Sequence, residues 1–123
     1  TVVWNYDKTC NCYKRVNGGV AHIDFDTKQQ LSPKNVVIQY ERETHANDGY
    51  DANAHLLYAT DGTKGAASGK ALFFMDGKVT QGTWNKATRT SREKFLDSNG
   101  QEIQFNRGQI WIQTVPEGSQ ATY

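Results

Sequence analysis

Apolar and polar side chains alternate along most of this chain, which is the period-two pattern of half-buried β-strands. In residues 20–25, for example, Ala21, Ile23 and Phe25 form one apolar row, and we expect that row to face a core. Residues 36–42 repeat the pattern. No segment carries a clear helical stripe. The pattern therefore predicts about ten short strands separated by turns.

Two dipeptides mark the turns near the carboxyl end. Asp76-Gly77 and Asn99-Gly100 each lie between runs of β-branched and aromatic residues, and such dipeptides supply the positive φ angles of tight hairpins. They predict two successive hairpins followed by a final strand. Together the strands predict an all-β fold: a small rolled antiparallel sheet, a sandwich or a partly open barrel. The connections 26–34 and 86–92 leave room for one short helix.

Length and charge narrow the class of protein. A chain of 123 residues is long enough for one core, so residues 1–123 are expected to form a single β-rich domain. With 14 basic and 13 acidic residues, the net charge is +1, and we expect no nucleic-acid partner. No apolar run approaches the roughly 20 residues of a spanning helix. Because the chain starts in a strand, we expect it to be part of a longer protein.

The two cysteines flank a single residue at a predicted hairpin tip. Cys10 and Cys12 lie on either side of Asn11, between the strands predicted at residues 2–6 and 13–16. In an extended chain, positions i and i+2 hold their Cα atoms near or beyond the usual bridging limit of ~6.8 Å. Ordinary thiols are therefore favoured, with a strained disulfide and a metal or intermolecular role as the alternatives. Two thiols alone do not make a zinc site.

Histidines and aspartates suggest a candidate metal site. His22 and Asp24 are two residues apart on a predicted strand, so they project to the same face. His45, Asp51 and His55 lie in, or just after, the polar stretch 43–53, which is the largest predicted loop. Imidazole and carboxylate groups suit zinc and could support a hydrolase. No diagnostic ligand spacing is present, so ordinary surface roles are the alternative and no cofactor is expected.

Basic and aromatic side chains extend this candidate site. Arg92 belongs to a basic stretch that follows Trp84, and an arginine beside a tryptophan could grip an anion while the ring stacks on a sugar or base. The alternative is a solvated hairpin edge protected by charge. The remaining aromatic residues are interpreted as core and cross-strand packing. The candidate cleft comprises Arg15, His22, Asp24, His45, Asp51, His55, Trp84 and Arg92.

Sequence signatures of an enzyme are weak. The serines and threonines lack a Gly-x-Ser-x-Gly elbow, the cysteines show no paired histidine signature, and the glycine-rich stretch 62–69 is not a P-loop. A pair of catalytic carboxylates can be recognised only by its separation in space. The composition therefore allows catalysis, but no sequence motif supports it.

Several segments together resemble the C-terminal domain of the YerB-type bacterial lipoproteins, a family of unassigned function. The resemblance is carried by the order and spacing of residues 4–7, 13–15, 19–24, 31–38, 69–77, 82–84 and 108–116. It covers nearly the whole chain and implies a secreted, lipid-anchored protein with a separate N-terminal domain. The hairpin tip departs from the family pattern, because Cys10 and Cys12 stand where polar turn residues are expected. The resemblance implies no catalytic residues.

Three functional hypotheses follow. The leading one, implied by the resemblance and the near-neutral charge, is a non-catalytic extracytoplasmic binding or interaction module at the bacterial cell envelope. Its partner would be an envelope protein or a cell-wall polymer, with the membrane reached only through a lipid anchor outside this chain, and the domain would be a monomer. The second is a metal-dependent or other hydrolase that uses His22 and Asp24 with the loop 45–55. The third is a structural domain that supports a missing N-terminal domain.

Overall fold

The computed structural model describes residues 1–46, 48–50, 56–58 and 67–123, and within them every regular element is a strand. The strands are β1 (Val2–Asp7), β2 (Cys12–Asn17), β3 (Val20–Ala21), β4 (Asn35–Glu41), β5 (Glu43–His45), β6 (Leu56–Tyr58), β7 (Ala67–Met75), β8 (Lys78–Lys86), β9 (Lys94–Asp97) and β10 (Ile110–Pro116). The predicted all-β fold of about ten short strands is confirmed. The short helix is absent from both segments proposed for it, which form turns and bends instead. The described residues include no helix that could span a membrane.

The strands form three sheets. The largest has five strands in the order β10-β4-β7-β8-β9, a second has the order β1-β2-β3, and β5 pairs with β6. Pairing is antiparallel except between β10 and β4, which are parallel. The antiparallel pairing predicted from the sequence thus holds for every strand pair except this one. The reason is that residues 98–109 lead from β9 at one edge to β10 at the other, and such a crossover permits a parallel strand.

The first predicted hairpin is confirmed and the second is shorter than expected. Asp76 and Gly77 adopt φ angles of 54° and 69°, as a tight primed turn requires, and join β7 to β8. After the turn at Asn99-Gly100, the returning chain makes only an isolated bridge between Leu96 and Glu102. The chain then leaves the β9 edge and crosses the sheet.

The hydrophobic core lies on one face of the five-stranded sheet. Val37, Ala71, Phe73 and Trp84 are fully buried there. Partly buried residues pack against them, and these include Ile103 and Phe105 from the crossing segment as well as Ala67 and Phe95. The crossing segment therefore covers the core. Because side chains alternate along a strand, the neighbouring residues of β4 and β7 face the opposite side of the sheet.

The predicted apolar row in residues 20–25 points outward, which corrects the expectation that it faces a core. The strand ends at Ala21, and Ile23 and Phe25 are 47% and 82% exposed. The Asp24 carboxylate accepts hydrogen bonds from the Thr27 backbone N–H and hydroxyl, both at 2.7 Å, and so holds a turn that folds the chain back. This early turn leaves too short a strand for the row to be buried.

The polar stretch 43–53 also begins differently from its prediction. Residues Glu43–His45 form β5, so the chain there is a strand and not a loop. Its antiparallel partner is β6. Residues 51–55 lie outside the described residues.

The cysteines form a disulfide, which corrects the expectation of free thiols. Cys10 and Cys12 are joined, and their Cα atoms are 5.2 Å apart. Asn11 between them adopts a φ of 47°, so the tip is a tight turn and not the extended chain on which the expectation rested. The turn brings the two Cα atoms within normal bridging distance.

Candidate functional site

A cleft lies on the second face of the five-stranded sheet. The three-stranded sheet stands over this face, and together they enclose a cavity of about 590 Å³. Chain segment 119–123 lies along its margin. The volume falls within the range of about 300–1,000 Å³ that is usual for small-molecule sites. The cleft is therefore large enough to take a ligand.

Aromatic and aliphatic side chains form most of the cleft lining. Those from the five-stranded sheet are Val36, Ile38, Tyr40, Phe74, Val79 and Val115, and those from the small sheet are Val2, Val3, Trp4, Tyr6 and Tyr13. In the small sheet, Trp4 is paired with Arg15 and Tyr6 with Tyr13, so all four side chains share one face. Gln113 and Lys78 are among the polar lining residues. The cleft therefore suits a ligand with an apolar body and a few hydrogen-bonding groups.

Two tyrosines of the lining are held in the neutral form. Burial raises the pKa of the Tyr13 phenol, although the hydrogen bond that its hydroxyl accepts from the Gly77 backbone N–H, at 3.0 Å, acts in the opposite direction. Burial also raises the pKa of Tyr40, as does the nearby Tyr123 phenol. Both hydroxyls therefore keep their protons at neutral pH and can serve as hydrogen-bonding groups.

An arginine beside the cleft lies against two indole rings that also contact each other. The Arg15 Cζ lies 4.9 Å from the ring centre of Trp111 and 5.5 Å from that of Trp4. The two indole centres are 5.4 Å apart. Arg15 is only 7% exposed, and its Nη1 donates a hydrogen bond to His22 Nδ1. We call these four side chains, Trp4, Arg15, His22 and Trp111, the Arg15 cluster.

The structure brings together two of the predicted site residues and gives Asp24 another role. Arg15 and His22 are in contact, and His22 also packs against Trp111, with ring centres 6.4 Å apart. Asp24 caps its own turn, and its hydrogen bonds with Thr27 lower the pKa of its carboxyl group. Its carboxylate is therefore committed to the turn.

None of the six candidates in the described ranges is a cleft-lining residue, and three of them also lie outside the Arg15 cluster and the Asp24 turn. His45 is exposed on β5. Trp84 is fully buried in the core, where its Nε1 donates to the Tyr40 carbonyl at 2.8 Å, so it cannot meet a ligand. Arg92 is exposed and forms a salt bridge with Glu102 at 2.6 Å. Asp51 and His55 lie outside the described residues. The six candidates in the described ranges thus do not form one cluster.

The candidate metal site lacks a geometric basis in the described part of the chain. There, no group of three or more histidine, cysteine, aspartate or glutamate side chains is placed to hold an ion. His22 Nδ1 faces a guanidinium, which repels a cation. Of the metal candidates His22, Asp24, His45 and His55, the last lies outside the described residues.

A carboxylate pair occurs on the core side of the sheet. The Gln39 amide donates to Glu41 at 2.9 Å and to Glu93 at 2.7 Å. Burial raises the pKa of Glu93, and the negative charge of Glu41 raises it further, against the effect of the Gln39 hydrogen bond. Glu41 is only 1% exposed. The Gln39 amide therefore links β4 to the Glu93 side chain that precedes β9.

Sequence reasoning missed most of the cleft lining. Trp4, Tyr6 and Tyr13 were interpreted as packing residues because the sequence does not show where a second sheet lies. The hairpin register provided a partial signal. If residues 2–6 pair with 13–16 about the tip at Asn11, then Trp4, Tyr6, Tyr13 and Arg15 must share a face. That signal predicts a row of aromatic rings beside a cation.

The fold and the cleft define an all-β domain with a ligand-sized cavity between two open sheets. Residues 1–112 match the family described as "Protein of unknown function (DUF3048) C-terminal domain", and the chain belongs to this family. The resemblance inferred from the sequence is thereby confirmed.

A relative and a solved structure support the same assignment. The chain is 28% identical over 119 residues to "Putative lipoprotein YerB" of Bacillus subtilis strain 168, covering 94% of this chain and 31% of that protein. It superimposes on the crystal structure of the YerB protein from Bacillus subtilis with a TM-score of 0.73 and 24% identity, covering 93% of this chain and 35% of that one. The chain thus spans about a third of the length of these proteins.

Proposed function

We propose that this domain is a non-catalytic binding module that holds its ligand in the cleft between the two sheets. The observation that carries the proposal is the cavity of about 590 Å³ with its lining of aromatic and aliphatic side chains. Large apolar pockets with a few polar groups are the usual form of small-molecule sites. Rings from both sheets could pack against the body of a ligand, while Gln113 and the tyrosine hydroxyls would orient it.

The proposed location is the outer side of the bacterial cell envelope. The support is family membership and the name of the relative, which describes a lipoprotein. In that setting the ligand would be a group carried by a cell-wall polymer or by an envelope protein. Membrane attachment would come through a lipid anchor outside this chain, and the domain would act as a monomer.

A neutral fluorescent probe tests the cleft directly. We expect N-phenyl-1-naphthylamine, which is apolar and fluoresces on leaving water, to bind the protein with one saturable site. Val115→Trp places a large ring in the cleft and should abolish this binding. Ile112→Trp is the matched control, because Ile112 lies on the same strand but is 45% exposed and outside the lining. Its binding should equal that of the wild type.

The same probe reports on natural ligands by displacement. Purified peptidoglycan fragments and wall teichoic acid are added separately to the probe complex, and a ligand of the cleft should lower the fluorescence. Equal probe binding by Val115→Trp and Ile112→Trp, with both variants folded by circular dichroism, would contradict the cleft as the site. Failure of every envelope fraction to displace the probe would contradict the envelope role.

A further inference from the structure

The Arg15 guanidinium is a buried cation without an anionic partner among the described residues. Arg15 is 7% exposed, and the salt bridges found in the described ranges join Lys14 to Asp7 and Arg92 to Glu102 instead. A buried charge is costly unless it is paired or hydrogen-bonded. The two indole rings offset part of that cost through cation–π contacts. The positive charge itself is not neutralised by any described residue.

Two hydrogen-bond donors in the Arg15 cluster are also unpartnered. Arg15 Nε and Trp4 Nε1 are both buried and lack a hydrogen-bond partner within the described part of the chain. Guanidinium and indole N–H groups can only donate. The His22 contact fits this arrangement, because Nδ1 must carry a lone pair to accept from Arg15. The cluster thus offers donors and positive charge, and what it lacks is an acceptor with negative charge.

Trp4 connects these donors to the cleft, since it is the member of the Arg15 cluster that belongs to the cleft lining. Trp4 lines the cleft and also packs against Arg15, its cross-strand partner. Tyr13, two residues from Arg15 on the same face of β2, lines the cleft as well. An anionic group at the end of a ligand could therefore reach the cluster while the apolar body fills the cleft.

We propose that Arg15, with Trp4, forms an anion-binding subsite at one end of the cleft, which recognises a carboxylate or phosphate group on a ligand with an apolar body. This inference rests on the proposed function, since the cleft must hold the body of the ligand. Guanidinium is suited to both anions because its planar donors pair with two oxygens at once.

A matched pair of ligands tests the charge without any variant. 2-Naphthoate and 2-naphthamide share one aromatic body and differ in the negative charge. Binding to the wild-type protein is measured by isothermal titration calorimetry at fixed ionic strength. We expect naphthoate to bind about tenfold more tightly or better, as one charge-assisted contact provides. 2-Naphthyl phosphate, run in parallel, shows whether phosphate or carboxylate is preferred.

Two variants identify the residue responsible. Arg15→Gln should remove the preference for naphthoate and leave the affinity for naphthamide within about twofold. Lys14→Gln removes the same charge from the adjacent residue, whose side chain lies on the other face of β2 and pairs with Asp7 at 2.6 Å. It should keep the full preference. Circular dichroism confirms that both variants are folded.

The outcomes separate the two proposals. If naphthamide binds and naphthoate binds no more tightly, the anion subsite is overturned and the cleft stands. If the preference survives in Arg15→Gln, the subsite is likewise overturned, because another group must supply it. If neither compound binds, both the cleft and the subsite are overturned.

Discussion

The two faces of the five-stranded sheet are closed in different ways. On the core face, Phe73 contacts Phe95 and Phe105 edge to face, with ring centres 5.8 and 6.2 Å apart, and the chain itself crosses over them. On the cleft face, the cover is a separate small sheet, and a cavity of about 590 Å³ is left between the layers. The same interior strand, β4, supplies side chains to both faces.

On the core face, backbone carbonyls approach two glycines closely. A Cβ added at Gly82 would lie 2.0 Å from the Leu96 carbonyl oxygen, and one at Gly69 would lie 2.6 Å from the Tyr40 carbonyl oxygen. Glycine therefore lets neighbouring groups pack without a void. We therefore propose that the core face contributes most of the stability of the fold and that the cleft face binds the ligand. Substitutions on the two faces should separate these properties.

The largest expected effect comes from two adjacent phenylalanines on β7. Phe73→Ala removes a fully buried ring and should lower the free energy of unfolding by about 3–5 kcal/mol. Phe74→Ala removes a partly buried ring from the cleft and should lower it by less than half as much, while weakening binding of N-phenyl-1-naphthylamine. Urea denaturation and probe titration measure the two properties. Equal losses of stability in the two variants would contradict the proposal that the core face contributes more to stability than the cleft face does.

A buried asparagine closes one end of the core face. Asn35 is fully buried, and its amide donates to the carbonyls of Asn106 and Gln109 at 2.9 and 3.1 Å while accepting from the Asn106 N–H at 3.0 Å. Asn35→Ala removes the side-chain partners of the Asn106 carbonyl and N–H, while the Gln109 carbonyl keeps the backbone N–H groups of Lys34 and Asn35. It should cost about 1–3 kcal/mol of unfolding free energy.

The control for this prediction is Gln104→Ala. Gln104 is exposed on the same crossing segment, so its replacement should change stability by less than about 0.5 kcal/mol. Urea denaturation followed by circular dichroism measures both variants. A loss at Asn35→Ala no larger than the control would show that the crossing segment is held by its apolar contacts alone.

The sequence predicted the core face better than the cleft face. The turn at Asp76-Gly77 and the alternation along β4 depend on neighbours in sequence, so both could be derived from local pattern. The cleft depends on how one sheet lies over another, which local pattern does not encode. Of the predicted candidates, Arg15 and His22 are in contact, whereas Trp84 lies in the core, since a tryptophan suits a core as well as a cleft.

Two local errors have the same physical origin. The row Ile23 and Phe25 was expected to be buried, but the Asp24 turn ended the strand first. The Cys10–Cys12 disulfide was disfavoured because the tip was taken as extended, and the positive φ of Asn11 made it a tight turn. In both places a turn residue overrode the period-two pattern.

Reduction of the Cys10–Cys12 disulfide, on the cleft side of the molecule, should change stability by a smaller amount. The bridge closes a ring of only three residues, so the entropic model gives a stabilisation of about 1–2 kcal/mol. The Lys34 ammonium also donates to the Cys10 carbonyl, so the tip keeps a second attachment after reduction. Dithiothreitol should therefore lower the unfolding free energy slightly and leave the core-face phenylalanine effects unchanged.

The control for reduction is the double variant Cys10→Ser with Cys12→Ser. It should be insensitive to dithiothreitol and match the reduced wild type in urea denaturation. A loss of more than about 3 kcal/mol on reduction, which the model assigns to a loop of roughly 15 residues, would mean that the small sheet depends on its tip. The stability of the sheet that covers the cleft would then depend on the disulfide.

The smallest expected effect concerns the carboxylate pair at the edge of the core face. Burial raises the Glu93 pKa above its usual 4.5. The Glu93 carboxylate therefore binds a proton more readily in the folded protein than in the unfolded chain. The contribution of Glu93 to stability therefore falls as pH rises from about 4.5 through the folded-state pKa. Glu93→Gln keeps an oxygen for the Gln39 amide and removes the titration.

At pH 7, Glu93→Gln should be more stable than the wild type by less than about 1 kcal/mol, because the site is partly solvated. At pH 4 the difference should vanish, since Glu93 is then largely protonated in both states. Glu117→Gln, the same change at an exposed position, should show no such dependence. Urea denaturation at both pH values measures the unfolding free energy of the wild type and of each variant. A variant less stable than the wild type at pH 7 would reverse the sign and show that charged Glu93 stabilises the core face.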